Sequence, residues 1–245
     1  MKSKTGQDEL LVEIRHRTCT LWLTGIAASL VTLSYLQQLL IIVGGVKHGL
    51  GLIEPIRTLI HVDLENNIPA LYSVVLLLGA SFSSAMNYSA ARTRQERRAS
   101  AWGVLAILFL LLTLDEFASL HEALNGTGVA VLKHFGFKRL AFSWVVFAIP
   151  ALLLVGLFFL GFFRSLPADT RHRLLVSGVV YVLGAVGFEI LSGAALPRVG
   201  YQHMGYQTLC HLEEFLEMLG ISLFIVAAHI HFSRIWPEVR IRYQA

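Results

Sequence analysis

Residues 101–122 read AWGVLAILFLLLTLDEFASLHE. Positions 101–114 carry no charge, and the stretch then closes on Asp115, Glu116, His121 and Glu122. A run of roughly 20 apolar residues is what a helix needs to cross the ~30 Å hydrocarbon core of a bilayer. The stretch therefore reads as a membrane span that ends on ionisable groups. Such groups are expensive inside a membrane and mark sites when they occur there.

Five more stretches of the same kind flank it, near 19–43, 68–90, 142–163, 174–196 and 210–232. Backbone groups in lipid must bond within their own segment, so helices are the expected element. The chain is expected to be all-α: one six-helix transmembrane domain over residues 1–245. Composition agrees. Only 15% of the residues are charged, against about 25% in soluble domains, too few to cover a soluble surface of this size. That excludes a soluble dinucleotide-binding enzyme, a nucleic-acid reader and a secreted disulfide scaffold. The first span is too long for a signal-peptide core and is expected to remain as an anchor.

The net charge of +4 is explained by topology. Fourteen of the 20 Lys and Arg residues fall in 1–18, 91–100, 164–173 and 233–245, all on one side of a six-span chain. The positive-inside rule places both termini in the cytoplasm. The basic loops then meet anionic lipid headgroups, and no nucleic-acid partner is expected. Cys19 and Cys210 fall at opposite ends of their spans, too far apart for a disulfide.

Seven of the 16 acidic residues lie in or at the edge of these spans: Asp115, Glu116, Glu122, Glu189, Glu213, Glu214 and Glu217. With the termini inside, all seven belong to the outer leaflet, as do His121 and His211. Unrelated residues would scatter over both leaflets, so one convergent site is expected. At ~100° per residue, Asp115, Ser119 and Glu122 would share a face of the third helix, with Asp115 and Glu122 ~10 Å apart along the axis. On the sixth, His211 and Glu214 are spaced i,i+3, and Glu213 and Glu217 i,i+4.

Carboxylates and imidazoles on facing helices hold iron, manganese or zinc in bundle proteins. Asp115, Glu122, Glu189, His211 and Glu214 are the expected metal ligands, with His121 and Glu217 as ligands or supporting groups. Glu116 or Glu213 would act as general base, and Ser119 as a nucleophile or polarising group. The function read from this is a metal-dependent membrane enzyme on a lipid or other membrane-accessible substrate, by di-metal oxidation or zinc hydrolysis. A proton- or cation-coupled transporter using the same acids is the alternative. A third reading is an accessory subunit of a homo- or hetero-oligomer. The structural alternative is that the acids are solvated or cap helices. Asn67 and Pro69 look like an ordinary cap and first turn, and Asp63 and Glu65 precede them. Gln37 and Gln38 polarise the first span. His231 and Trp102 are expected at the membrane interface.

Three strings carry a resemblance: His61-Val-Asp-Leu-Glu-Asn-Asn-Ile-Pro-Ala-Leu-Tyr-Ser73, Leu114-Asp-Glu-Phe-Ala-Ser-Leu-His-Glu122 and Glu213-Glu-Phe-Leu-Glu-Met-Leu-Gly220. They resemble a group of uncharacterised bacterial multi-pass membrane proteins with Asp-x-Glu-x-x-x-Pro and Asp-Glu-x4-His-Glu segments. The resemblance implies a bacterial inner membrane, one site built from these strings and facing the periplasm, and no particular activity. A looser likeness to alkaline ceramidases, which use His, Asp and Ser around zinc, stops at their spaced His pair, which the last span lacks at the matching end.

Overall fold

The computed structural model describes residues 15–44, 53–137 and 141–236. Of the basic residues used for topology, Lys2, Lys4, Lys47, Lys138, Arg139, Arg240 and Arg242 lie outside the described residues.

Every regular element described is helical. Six helices are long and apolar enough to span a membrane: α1 (His16–Ile42), α3 (Ile68–Thr93), α4 (Ala99–Ala118), α7 (Val145–Ser165), a continuous helix Ala168–Val199, and α10 (Met204–Ile235). The continuous helix divides into α8 (Ala168–Val182), a π-helical segment Leu183–Phe188, and α9 (Glu189–Val199). Short helices α2 (Ile53–Ile60), α5 (Leu120–Ala123) and α6 (Asn125–His134) fill the connections.

Apolar side chains point outward as well as inward. Leu21, Phe82, Leu153 and Leu157 are all more than 60% exposed. A water-soluble monomer rarely carries so much exposed apolar area, and lipid is the solvent that suits it. The hub is α10. Half of its most apolar window is buried, against 17–39% in the other spans. It packs on α1, α3, α8, the π segment and α9.

Two glycines let α10 approach its neighbours closely. A Cβ at Gly220 would stand 2.6 Å from the Tyr181 backbone nitrogen on α8. One at Gly184, in the π segment, would stand 2.8 Å from the Glu213 carbonyl oxygen. Small residues are what let membrane helices meet backbone to backbone.

Three spans depart from expectation by four residues or more. The third span ends at Ala118, not 122, because Ser119 is left-handed at φ 48°. Asp115 supplies the reason: its Oδ1 accepts the His121 backbone N–H at 2.7 Å, taking the amide that would have continued the helix. The proposed single face of Asp115, Ser119 and Glu122 therefore does not exist, and Glu122 sits on α5. The sixth span begins at Met204, not 210, so its acids lie two to four turns inside rather than in the first two. The fifth runs from Ala168 to Val199, beyond the expected 174–196, and carries the π segment just before Glu189.

Candidate functional site

The segment between α2 and α3 is pinned, with His61, Val62 and Asn67 buried. Asn67 caps α3, its Oδ1 accepting the Ala70 N–H at 3.0 Å. The Asn67 Nδ2 donates to the His61 carbonyl at 2.7 Å. The Val62 N–H donates to Ser34 Oγ on α1 at 3.1 Å, and the Asp63 N–H donates to His61 Nδ1 at 3.1 Å. Asn66 takes a positive φ of 58° to make this turn, a conformation asparagine tolerates better than most. The result carries Asp63 and Glu65 over one end of the bundle, beside a cavity of about 560 Å³.

That cavity gathers most of the expected site residues. Asp115 and Glu116 reach it from α4, and His121 and Glu122 from α5. Glu189 enters from the start of α9, and Glu213, Glu214 and Glu217 from α10. Asp63 and Glu65, from the segment that the sequence places just before the second span and on the same side as the site, line it too. Nine carboxylates thus share one space, and no Lys or Arg is among the lining residues.

Within it, Asp115 and His121 form a dyad. Asp115 Oδ2 accepts from His121 Nδ1 at 3.0 Å. With Nδ1 donating, a neutral ring carries its lone pair on Nε2. This is the arrangement by which a carboxylate orients a metal-binding or basic histidine. Burial lowers the His121 pKa, but the Asp115 hydrogen bond and the charges of Asp115, Glu189 and Glu122 outweigh it, and the net shift is upward. Glu189 is held by the Trp144 indole N–H at 2.7 Å, and Glu213 by the Ser192 hydroxyl at 3.2 Å. Asn125 Oδ1 in turn accepts the Trp144 backbone N–H at 3.1 Å. Burial pushes the Asp63 carboxyl up to about 7, and the charges of Glu189 and Glu122 add to the rise.

The other half of the cavity is apolar. Its walls are Leu108, Phe109 and Leu112 of α4 and Ala148, Leu152 and Val155 of α7. The two helices touch at their far ends, where the Trp102 and Phe162 rings stand 5.2 Å apart. Toward the acids the cavity occupies the space between them, and Leu111, half exposed on the outer surface, borders it.

Two expected site residues lie elsewhere. His211 is buried but turned away. Its Nδ1 donates to the Gln207 carbonyl at 2.7 Å, so Nε2 accepts from the Ser34 hydroxyl at 2.8 Å. Both ring nitrogens are engaged, which corrects its assignment as a ligand of this cavity: it braces α1 and the 61–67 segment against α10. Ser119 is outside the lining. Gln37 and Gln38 do not line the cavity either. Among the described residues, no three His, Cys, Asp or Glu side chains are already gathered as a metal site.

Trp144 and Tyr181 are the site residues that sequence reasoning missed. Trp144 had the position of an interfacial aromatic, and its indole donor was the available clue.

The pinned segment has a pH signature. Burial, with His211 and Arg57 adding, holds His61 down from 6.5 to about 4. A depressed pKa stabilises the folded segment above pH 6.5, and the contribution is lost as pH falls toward 4. Amide exchange at Val62 and Asp63 should therefore quicken as pH drops from 6.5 to 4.5, after correction for intrinsic rates. His61→Gln should flatten that dependence. Equal protection across the range in wild type would refute it.

The fold and the cavity define a six-helix integral membrane protein with an acid-lined, half-apolar cavity near one end of its bundle. The chain belongs to the family described as a domain of unknown function, DUF8692, whose pattern spans residues 20–232 and so contains the whole cavity. No curated protein and no solved structure matches the chain.

Proposed function

We propose that this chain is a metal-dependent membrane enzyme acting on a lipid or another membrane-accessible substrate. One observation carries the reading: the Asp115–His121 dyad and the carboxylates share a single cavity with the apolar trough between α4 and α7. An amphipathic substrate would lay its chain in the trough and its polar part among the acids.

The donors favour a particular metal. A carboxylate-rich set with one imidazole suits iron or manganese better than zinc, and places the proposed reaction nearer oxidation than hydrolysis. His121 Nε2 with Glu116, Glu189, Glu214 and Glu217 would supply ligands, and Glu213 or Glu122 a base. A divalent ion would also offset the cost of so many acids in a low-dielectric space.

Elemental mass spectrometry of the purified chain should find one or two iron or manganese ions per chain. His121→Ala should lose them and His211→Ala should keep them. Metal-free wild type with its function intact would overturn the reading.

A proton- or cation-coupled transporter is the second reading. Its support is the run of acids from Asp63, outside the spans, to Glu217 on α10, together with the raised pKa of Asp63. Reconstituted vesicles that acidify with a cation gradient, and lose this in Glu217→Gln, would favour it.

The membrane proposed is a bacterial inner membrane, with both termini cytoplasmic and the cavity toward the periplasm. The Arg-rich end of the bundle and the resemblance noted above support this. A cysteine placed at Gln95 should resist membrane-impermeant reagents in intact cells; rapid labelling would reverse the orientation.

A further inference from the structure

A second cavity, about 600 Å³, lies at the end of the bundle away from the acids, between the α3–α4 turn, the α7–α8 junction and the close of α10. Its chemistry is opposite. Arg94, Arg97, Arg98 and Arg234 line it, with Glu96 as the one acid in the lining. Arg234 is already taken, its Nη2 bonded to Asp169 at 2.5 Å. Among the described residues, Arg94, Arg97 and Arg98 have no acid within ion-pair distance.

The floor is built rather than accidental. Trp102 is fully buried and stacks on His231, centroids 5.3 Å apart and planes at 23°. Both were expected at an interface, yet His231 is only 6% exposed. His231 Nδ1 is bonded to Thr170 Oγ1 at 3.2 Å, which fixes the ring. Nε2, on the ring's other edge, is buried with no protein partner, and the residue lines the cavity. A buried polar atom without a partner is costly, and points to a ligand that supplies one. Arg98 is placed as well. Its guanidinium lies on the bare backbone of Gly161, where a Cβ would meet both Nη atoms at 2.6 Å.

We propose that this cavity binds a phosphate group, delivered by an anionic phospholipid headgroup or by a small soluble phosphate. Guanidinium forks match phosphate oxygens, and the unpartnered His231 Nε2 gives the floor a polar contact for one more. Leu166 and Ile235 also line the cavity and would meet a glycerol or acyl segment. The site shares no residue with the acid cavity, so it stands or falls apart from the proposed enzyme.

The full chain, purified in detergent, would be titrated with phosphatidylglycerol, with diacylglycerol bearing the same tails, and with inorganic phosphate, and followed by native mass spectrometry. Phosphatidylglycerol should bind and diacylglycerol should not. Arg98→Lys, which keeps the topogenic charge, and His231→Phe, which keeps the stack on Trp102, should each weaken it by about tenfold. Gly161→Ala should do the same by displacing the guanidinium, and it preserves the test if His231→Phe fails to fold. Inorganic phosphate binding as tightly as the lipid, with the same losses in the variants, would support the soluble source. Binding of diacylglycerol equal to phosphatidylglycerol, or variants that bind as wild type, would overturn the proposal.

Discussion

Asp115→Asn protein is expected to bind iron or manganese about 10- to 100-fold more weakly than wild type, the usual cost of losing a carboxylate behind a metal-binding histidine. Both Asp115 oxygens serve residue 121. Oδ1 takes its backbone N–H at 2.7 Å and Oδ2 its ring Nδ1 at 3.0 Å. Asparagine offers only one oxygen to these two donors. If its amide NH2 faces the ring, Nδ1 must become the acceptor, and the proton moves to Nε2. The lone pair that would take the proposed metal is then gone. If it faces the backbone, two donors clash and the α4–α5 turn loosens. His121→Ala removes the ligand outright and should strip the metal. The comparison that decides is His211→Ala. That variant should lose stability, because the Ser34 hydroxyl and the 61–67 segment lose their brace, yet keep its metal. Wild-type metal content in both Asp115→Asn and His121→Ala would reject the dyad as part of a metal centre.

Gly220→Ala is expected to open the contact between α8 and α10 and to destabilise the fold. The new Cβ would lie 2.6–2.8 Å from the backbone N, Cα and Cβ of Tyr181. No rotamer change relieves a clash with backbone, so α8 and α10 must move apart. Overpacking of this kind costs about 1–3 kcal/mol, and the gain in helix propensity returns at most about 1 kcal/mol. Tyr181 also lines the acid cavity, so the shift would widen the site. Gly178 is the control. It lies on α8, one turn from Tyr181, with nothing within 4 Å of its would-be Cβ, and Gly178→Ala should be neutral or slightly stabilising. Unfolding midpoints in mixed micelles would measure both; equal midpoints for the two variants would show that the α8–α10 approach is not tight.

Much of the acid site was legible from residue placement, for a plain reason. Acids in apolar runs are rare and costly, so their shared depth is informative before any fold is known. What misled was the assumption of unbroken helices. Asp115 and Glu122 do line one cavity, but through a break at Ser119 rather than along one helical face. His211 lies in the same helix as Glu214, and periodicity gave no sign that Ser34 and the Gln207 carbonyl would occupy both of its nitrogens. Asp63 and Glu65 could be placed on the same side as the site but not in it, because only folding brings their segment back over α4 and α10. Trp102 and His231 looked interfacial because each falls near a span end; their burial depends on α4, α7 and α10 converging there.

Sequence alone determined the solvent of this protein and the number of its membrane-spanning helices. Those follow from the local free energy of moving each segment's side chains from water into lipid, which needs no partner to evaluate. Tertiary structure alone decided which charged groups face one another, where a helix stops and turns, and which histidine nitrogen is left with a lone pair. Those depend on which helix lies beside which, and on hydrogen bonds such as Asp115 to the residue 121 amide, which compete with the helix itself. The sparse charge of the chain marks it as a membrane protein. The packing of α10 against its neighbours is what turns that charge into a cavity.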